Sequence, residues 1–348
     1  MINNEKVGFY EVMRKWLQKG RLLSLIAMLA ILLTGCGDPT LSTLVPQGDV
    51  ADKQFQLMLI SISIMILVLV VVFVLYFFVL IKFRKKAGDD SMPEQVEGNH
   101  MLEILWTAIP ILLLIILAVP TVMRTFEFDA DAKPSKNELS LKVTGHQYWW
   151  EFEYPKEELI TSQELVLPVD TKVHVELTTA DVIHSFWIPS LAGKTDTNPG
   201  DGSKNYMWFD TGSKEAVYKG KCAELCGASH ALMDFKVKVV SKEEYKAWVS
   251  GFKKASASTG DADGQKVFEK NCLSCHAVGE KGGNTGPNLT GFGEKEKIAG
   301  IMDHSKANLK KWIKDPQEYK PGNEMPKLPL SDEEVDAVAD YLMELKLQ

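Results

Sequence analysis

Residues 221–233 read KCAELCGASHALM, directly after the β-branched and aromatic segment AVYKG. Cys222 and Cys226 are four residues apart, His230 follows four later and Met233 three after that. Two thiols, an imidazole and a thioether this close together suit either a metal site or a disulfide hairpin. His184, in DVIHSFW, offers a second imidazole. Thiolate, thioether and imidazole make a soft donor set that favours copper over zinc, magnesium or calcium. A mononuclear blue-copper site takes one cysteine and two histidines, which leaves one cysteine here unused. Two metals resolve the count. If both sulfurs bridge, they supply four bonds, and His184, His230, Met233 and one backbone carbonyl supply four more, enough for two four-coordinate coppers. A disulfide explains only the two cysteines.

The rest of the chain says where such a site sits. Its 348 residues suggest two or three domains, and a net charge of −7 argues against nucleic acid as a partner. Three apolar runs dominate the first 125 residues. The first, residues 22–33, follows Arg14, Lys15, Lys19 and Arg21 and ends in Leu33-Thr34-Gly35-Cys36. It is short for a spanning helix and has the grammar of a signal peptide. The ending resembles a bacterial lipobox, so residues 1–35 are expected to be a lipoprotein-type signal peptide and Cys36 a lipid-bearing residue; an uncleaved anchor is the alternative. The second run, residues 55–81, has no charge and exceeds the ~20 residues needed to span. Lys82, Arg84, Lys85 and Lys86 follow it, which places that end in the cytoplasm by the positive-inside rule. The third, residues 104–123, contains Pro110 and Pro120 and returns outward. The expectation is a transmembrane hairpin within residues 36–125 (spans about 55–81 and 102–123), in a bacterial cytoplasmic membrane, with everything later on the extracytoplasmic face.

Residues 139–240 read as all-β. LSLKVTG, QYWWEFEY, ELVLPV, KVHVELTT, IHSFWI and AVYKGK are short β-branched and aromatic runs. Turn residues separate them, most densely in AGKTDTNPGDGSKN, which reads as a loop. Such spacing suggests a sandwich or barrel. Ser241 and Glu244 form a capping box that opens a helix to about Lys254. ASASTGDADG then reads as a linker, and the pattern beyond it is helical, with a second capping box at Ser331 and Glu334. Val335, Val338, Ala339 and Leu342 follow on one helix face.

Cys272-Leu-Ser-Cys275-His276 is C-x-x-C-H, the spacing of c-type haem attachment. The thiols bind the haem covalently and His276 ligates its iron. Met325, in NEMP, is the preferred sixth ligand because the following proline holds a non-helical loop. His304 and Met302 are the runners-up; His304 lies near the start of a helix expected over residues 308–314. His100 and His146 receive no role. His174 alternates with Val173 and Val175 and is expected to face solvent.

These motifs carry two resemblances. Residues 258–348 resemble a class I cytochrome c, through GQKVFEKNCLSCH, the GPNLTG loop at 286–291 and EVDAVADYLMEL. The C-x3-C-x3-H-x2-M spacing, with a histidine 38 residues earlier, resembles the dinuclear CuA centre of cytochrome c oxidase subunit II. EILWT at 103–107 and GHQYWWEFEYP at 145–155 extend that similarity over about residues 45–250, and the appended cytochrome resembles the caa3 type. The implied architecture is a multidomain membrane protein: a two-helix hairpin, an all-β cupredoxin-like sandwich over 126–256 and an all-α cytochrome c domain over 257–348.

The resemblance also implies roles. Glu224 would ligate copper through its carbonyl and a magnesium through its carboxylate, at a boundary with oxidase subunit I. Glu103 would lie at the mouth of a proton channel, or else is an interfacial solvated charge beside Trp106. The family's usual motif is G-H-Q-W-Y-W, whose first tryptophan receives electrons; Tyr148 stands there, so it is either a changed contact for a tethered cytochrome or a packing aromatic. The implied function is subunit II of a respiratory haem–copper oxidase, passing electrons from haem c to CuA and on to haem a, with oxygen reduced and protons moved in other subunits. Its partners would be subunits I and III, membrane lipid and an external donor such as a cytochrome or reductase complex. Acids outnumber lysines 16 to 12 from residue 257, which suits a basic or small donor. The alternative is a stand-alone lipid-anchored copper and haem carrier.

Overall fold

A computed structural model describes residues 20, 23–28, 37–85, 88, 92, 95–130, 138–200, 202–255 and 262–347. The chain divides into two units, Met1–Pro39 and Thr40–Gln348. In the first, residues 23–28 are helical, and Cys36 with its preceding motif lies outside the described residues.

The second unit begins with two long helices, α1 (Asp49–Lys82) and α2 (His100–Ala130), both long and apolar enough to cross a membrane. Asn99 caps α2, its side-chain oxygen accepting from the backbone N–H of Met101 at 3.0 Å and Leu102 at 3.2 Å. Asp49 and Asp52 in the first turn of α1 and Lys82 in its last complement the helix dipole. The helices' other ends meet around Lys53, which bonds Glu127 at 2.6 Å, while Arg124 holds the second Glu127 oxygen at 2.5 Å.

The β-domain that follows is a sandwich of two five-stranded sheets, β3-β2-β1-β5-β8 and β4-β10-β9-β6-β7. Its strands are β1 (Leu139–His146), β2 (Trp149–Tyr154), β3 (Leu159–Ser162), β4 (Glu164–Pro168), β5 (Lys172–Thr179), β6 (His184–Trp187), β7 (Lys194–Thr197), β8 (Asn205–Asp210), β9 (Ala216–Cys222) and β10 (Asp234–Val240). The β1–β5 and β4–β10 pairs are parallel. Alternate residues of β1 and β2 turn inward, and Trp150, Phe152, Phe186 and Phe235 form the aromatic centre of the core, with Phe186 stacked on Phe235 at 4.8 Å. Strand β7 lies inside the segment read as a loop. Among the described residues it is a polar edge strand paired along β6 alone, and an edge strand needs no apolar alternation.

One expectation is corrected here. His174 does not face solvent: it is 2 % exposed and its Nε2 lies 2.5 Å from Glu138. Its cross-strand partner is Trp208, and Val50 of α1 and Phe128 of α2 pack on Trp208. The outer face of this sheet is covered by the helix ends, so alternation with valines no longer separates core from solvent.

Helix α3 (Lys242–Ala255) starts at its capping box and lays Trp248 against Tyr154 at 5.4 Å. The cytochrome-like region then places α4 (Ala262–Asn271), α5 (Lys306–Lys314), α6 (Pro316–Tyr319) and α7 (Asp332–Glu344) around a second core. Helices α4 and α7 cross at Gly264, where a Cβ would stand 2.2 Å from the Ala337 carbonyl, and Phe268 packs on Tyr341 beside it. Lys306 and Lys310 of α5 tie that helix to Asp336 and Asp340 of α7.

Candidate redox centres

The copper-type donors converge because β6 and β9 are neighbours. Phe186 pairs with Cys222, so His184 at the start of β6 lies beside the end of β9. The loop after Cys222 closes on itself: the Cys222 N–H donates to the Met233 carbonyl at 3.1 Å, and the Ala223 N–H to Ser185 at 2.9 Å. His230 opens a short 3₁₀ turn, and Met233 immediately precedes β10.

The resulting contacts are short. Cys222 Sγ lies 3.9 Å from His184 Nδ1, 3.9 Å from Cys226 Sγ and 3.2 Å from the Glu224 carbonyl oxygen. Cys226 Sγ lies 3.6 Å from His230 Nδ1 and 3.8 Å from Met233 Sδ. The residues His184, Cys222, Cys226 and Met233 are buried. Both cysteines are free thiols, and their separation is far from the ~2.05 Å of a disulfide. A metal–thiolate bond of about 2.3 Å lets one ion touch both sulfurs across such a gap, so the donor set fits bridging thiolates.

The electrostatics hold these groups in place. The hydrogen bond shared with Cys226 pulls the Cys222 thiol far below the ordinary thiol range; burial opposes it, and His184 and backbone N–H groups add to it. Burial disfavours a charged His184 ring, but Asp181 and Cys222 outweigh it and raise its pKa. Asp181 Oδ1 lies 2.8 Å from His184 Nε2, so Nε2–H donates outward and Nδ1 faces the sulfurs. Trp150 presents its edge to the same ring at 5.8 Å, and Gly145 leaves room beneath it.

The second centre is a cavity of about 340 Å³ in the cytochrome-like domain. Cys272, Cys275, His276 and Met325 all line it, with an apolar wall that includes Phe292, Leu309, Trp312, Ile313 and Leu342. Burial pushes the Cys272 thiol up to about 11, and burial also lowers the pKa of His276. His276 Nδ1 sits 2.9 Å from the Pro287 carbonyl of the GPNLTG loop, which leaves Nε2 free to face the cavity. A flat macrocycle joined to both thiols and held between His276 and Met325 suits this lining. His304 and Met302 are not among the lining residues; His304 packs on Phe292 at 5.3 Å.

Tyr148, with Gln147, Trp149, Ser162 and Gln163, brings the β-domain into the wall of the same cavity. Lys295 reaches across in return, its ammonium donating to the Ser162 carbonyl at 2.9 Å and to Thr161 Oγ1 at 3.2 Å. Gln147 Nε2 donates to the Cys226 carbonyl. Of the remaining residues singled out from sequence, Glu224 has an exposed side chain and Glu103 lies in the first turn of α2, 3.6 Å from the His100 ring. Sequence reasoning passes over Asp181 and Lys295. Asp181, three residues before His184, carries a usable signal, since metal-binding histidines commonly donate to a carboxylate.

Comparison with known proteins agrees along the chain. Residues 48–123 match the transmembrane domain of cytochrome c oxidase subunit II, residues 157–240 its periplasmic domain, and residues 262–346 cytochrome c. Cytochrome c oxidase subunit 2 of Bacillus subtilis is 48 % identical over 94 % of this chain and 98 % of its own length. The same protein of Bacillus sp. strain PS3 is 48 % identical, over 97 % of this chain and all of its own. Quinol oxidase subunit 2 of Bacillus cereus is 32 % identical over 72 % of this chain and 86 % of its own. Among solved structures, the periplasmic domain of subunit II of cytochrome oxidase from Bradyrhizobium japonicum matches 35 % of this chain and 96 % of its own, at 34 % identity and a TM-score of 0.32.

Proposed function

This chain belongs to the cytochrome c oxidase subunit II family, and we propose that it delivers electrons to a haem–copper oxidase through two centres of its own. The observation that carries the reading is the convergence of His184, Cys222, Cys226, His230 and Met233 on one buried spot, with free sulfurs 3.9 Å apart. Those residues, with the Glu224 carbonyl, would hold two coppers. Cys272 and Cys275 would hold a haem covalently, with His276 and Met325 as its axial ligands. Once bound, the haem and the copper pair each accept and release one electron. The protein's part is to fix them: Asp181 orients His184, Pro287 orients His276, and the aromatic core around Trp150 keeps water from the copper donors. No proton needs to move at these residues. Oxygen chemistry belongs to a partner subunit.

The finer assignments belong to the same reading. The Lys82 end of the hairpin lies on the cytoplasmic side and the two centres outside. Cys36 carries lipid. The exposed carboxylate of Glu224 meets a magnesium where subunit I docks, and Glu103 faces the mouth of a proton route. Subunits I and III and an external reductant complete the assembly. A stand-alone carrier is disfavoured, since a two-helix hairpin exceeds what an anchor needs.

The test is metal stoichiometry on the full chain, purified in detergent after haem maturation and copper loading. Two coppers and one covalently held haem iron per chain are expected. One copper or none, with Cys222 and Cys226 found joined as a disulfide, overturns the reading.

A further inference from the structure

We propose that Ser229 is a positioning residue for electron transfer within this chain, seating the loop that carries Met325 on the loop that carries the copper donors. The inference rests on the oxidase reading above. Ser229 immediately precedes His230 and is 1 % exposed. Its hydroxyl donates to the Pro321 carbonyl at 2.7 Å, across 92 residues of sequence. Pro321 stands four residues before Met325. A single hydrogen bond thus joins the backbone that leads to Met325 with the backbone that leads to His230.

Two further observations mark this junction as built. Tyr148, 4 % exposed, is wedged between the two loops. A Cβ on Gly227 of the copper loop would stand 2.5 Å from the Tyr148 hydroxyl, and one on Gly322 of the cytochrome loop 3.2 Å from it. Both glycines have positive φ, +132° and +78°, so each loop reaches the tyrosine with a backbone that side chains disfavour. Lys320 pins the start of the cytochrome loop: it is 3 % exposed and its ammonium donates to the Ala299 carbonyl at 2.9 Å. In each transfer one electron leaves the haem iron and one arrives at the copper pair. No bond is broken, and Ser229 keeps its proton.

The test follows haem-to-copper transfer in the full chain loaded with both cofactors, after a light-activated ruthenium complex injects one electron into the haem. In Ser229→Ala the transfer is expected to slow about fivefold, as for the loss of one net hydrogen bond. Reduction of the haem by the photoreductant and the copper absorption spectrum should stay as in the unmodified chain. Amide exchange over residues 320–326 should speed by a similar factor, and Ser229→Thr should restore both. Gly322→Ala attacks the junction from the cytochrome side, where the added Cβ would press on the Tyr148 hydroxyl at 3.2 Å and make only an ordinary 3.6 Å contact with Ala228 of the copper loop, and it should slow the transfer with the copper spectrum unchanged. Unchanged transfer and exchange in both Ser229→Ala and Gly322→Ala overturns the proposal. So does a changed copper spectrum in Ser229→Ala, which would locate the effect in the ligands instead. Absence of any copper spectrum in the unmodified chain would sink the oxidase reading itself, a separate outcome.

Discussion

Asp181 takes the outer ring nitrogen of His184 at 2.8 Å while the inner one faces Cys222 at 3.9 Å, so a carboxylate outside the cluster decides which nitrogen is turned to the sulfurs. The carboxylate is itself held: Val182 N–H donates to the same oxygen and Gln147 N–H to the other at 2.7 Å. Burial works against its charge, yet the bonds from His184, Val182 and Gln147 outweigh it and hold Asp181 below the usual carboxylate range. Asp181→Asn keeps the shape but removes the charge and one acceptor. Copper affinity, measured by competition with a chelator, should fall about 10- to 100-fold. Unaltered affinity would mean that packing against Trp150 suffices to orient the ring.

Met325 and His276 share one cavity, whereas Met302 and His304 do not line it. Met325→Ala should therefore leave the haem covalently attached and open one position on its iron, so that added imidazole or carbon monoxide binds. Met302→Leu and His304→Ala should leave the visible spectrum and its insensitivity to imidazole unchanged. A Met325→Ala spectrum identical to that of the unmodified chain, with either other variant altered, would move the axial ligand to the residue that responded.

The cytochrome domain is held on the β-domain partly by charge, and that makes its seating sensitive to acid. Glu164 faces Lys295, Lys238 and Glu296; it bonds Lys238 at 3.0 Å and accepts from the Glu296 N–H at 3.0 Å. Burial pushes Glu164 up, but Lys295 and Lys238 outweigh it and leave its pKa below the ordinary 4.5. A carboxylate depressed by folding stabilises the folded state fully above its unfolded pKa and loses that contribution as pH falls through the folded one. Stability should thus hold down to about pH 4.5 and decline below it. Glu164→Gln should flatten that acid decline and cost about 2 kcal/mol at pH 7, because Lys295 and Lys238 lose a charged partner. Urea midpoints against pH, read at the haem, check both; a variant with the original acid slope removes Glu164 from the account.

Much of this protein is legible in its amino-acid order. Cys222, Cys226, His230 and Met233 lie at fixed offsets on one loop, and the C-x-x-C-H motif is five consecutive residues, so local spacing points to them, whereas His184 joins the first group only through the β6–β9 pairing. The hairpin is legible because apolar length without charge has few other uses. The segments named from sequence omit β3, β7, β8 and β10: β3 and β7 are only four residues long and draw their identity from neighbours across the sheet, whereas the aromatic β8 (NYMWFD) and the alternating β10 (DFKVKVV) carry a local signal that the reading passes over. The alternation around His174 misleads because a period of two tells one face from the other but cannot say that α1 and α2 cover the outer one.

What the sequence determined by itself was the chemistry: which atoms could bind metal and haem, and which segments need lipid. What tertiary structure decided was their arrangement. Lys295 crosses to Ser162 and Ser229 meets Pro321 only because the two cores come together. Contacts of that kind are single polar pairs between residues far apart in the chain. They leave no periodicity behind, and the free energy of each is only about 1 kcal/mol, so they are set by how the domains pack rather than by any local preference.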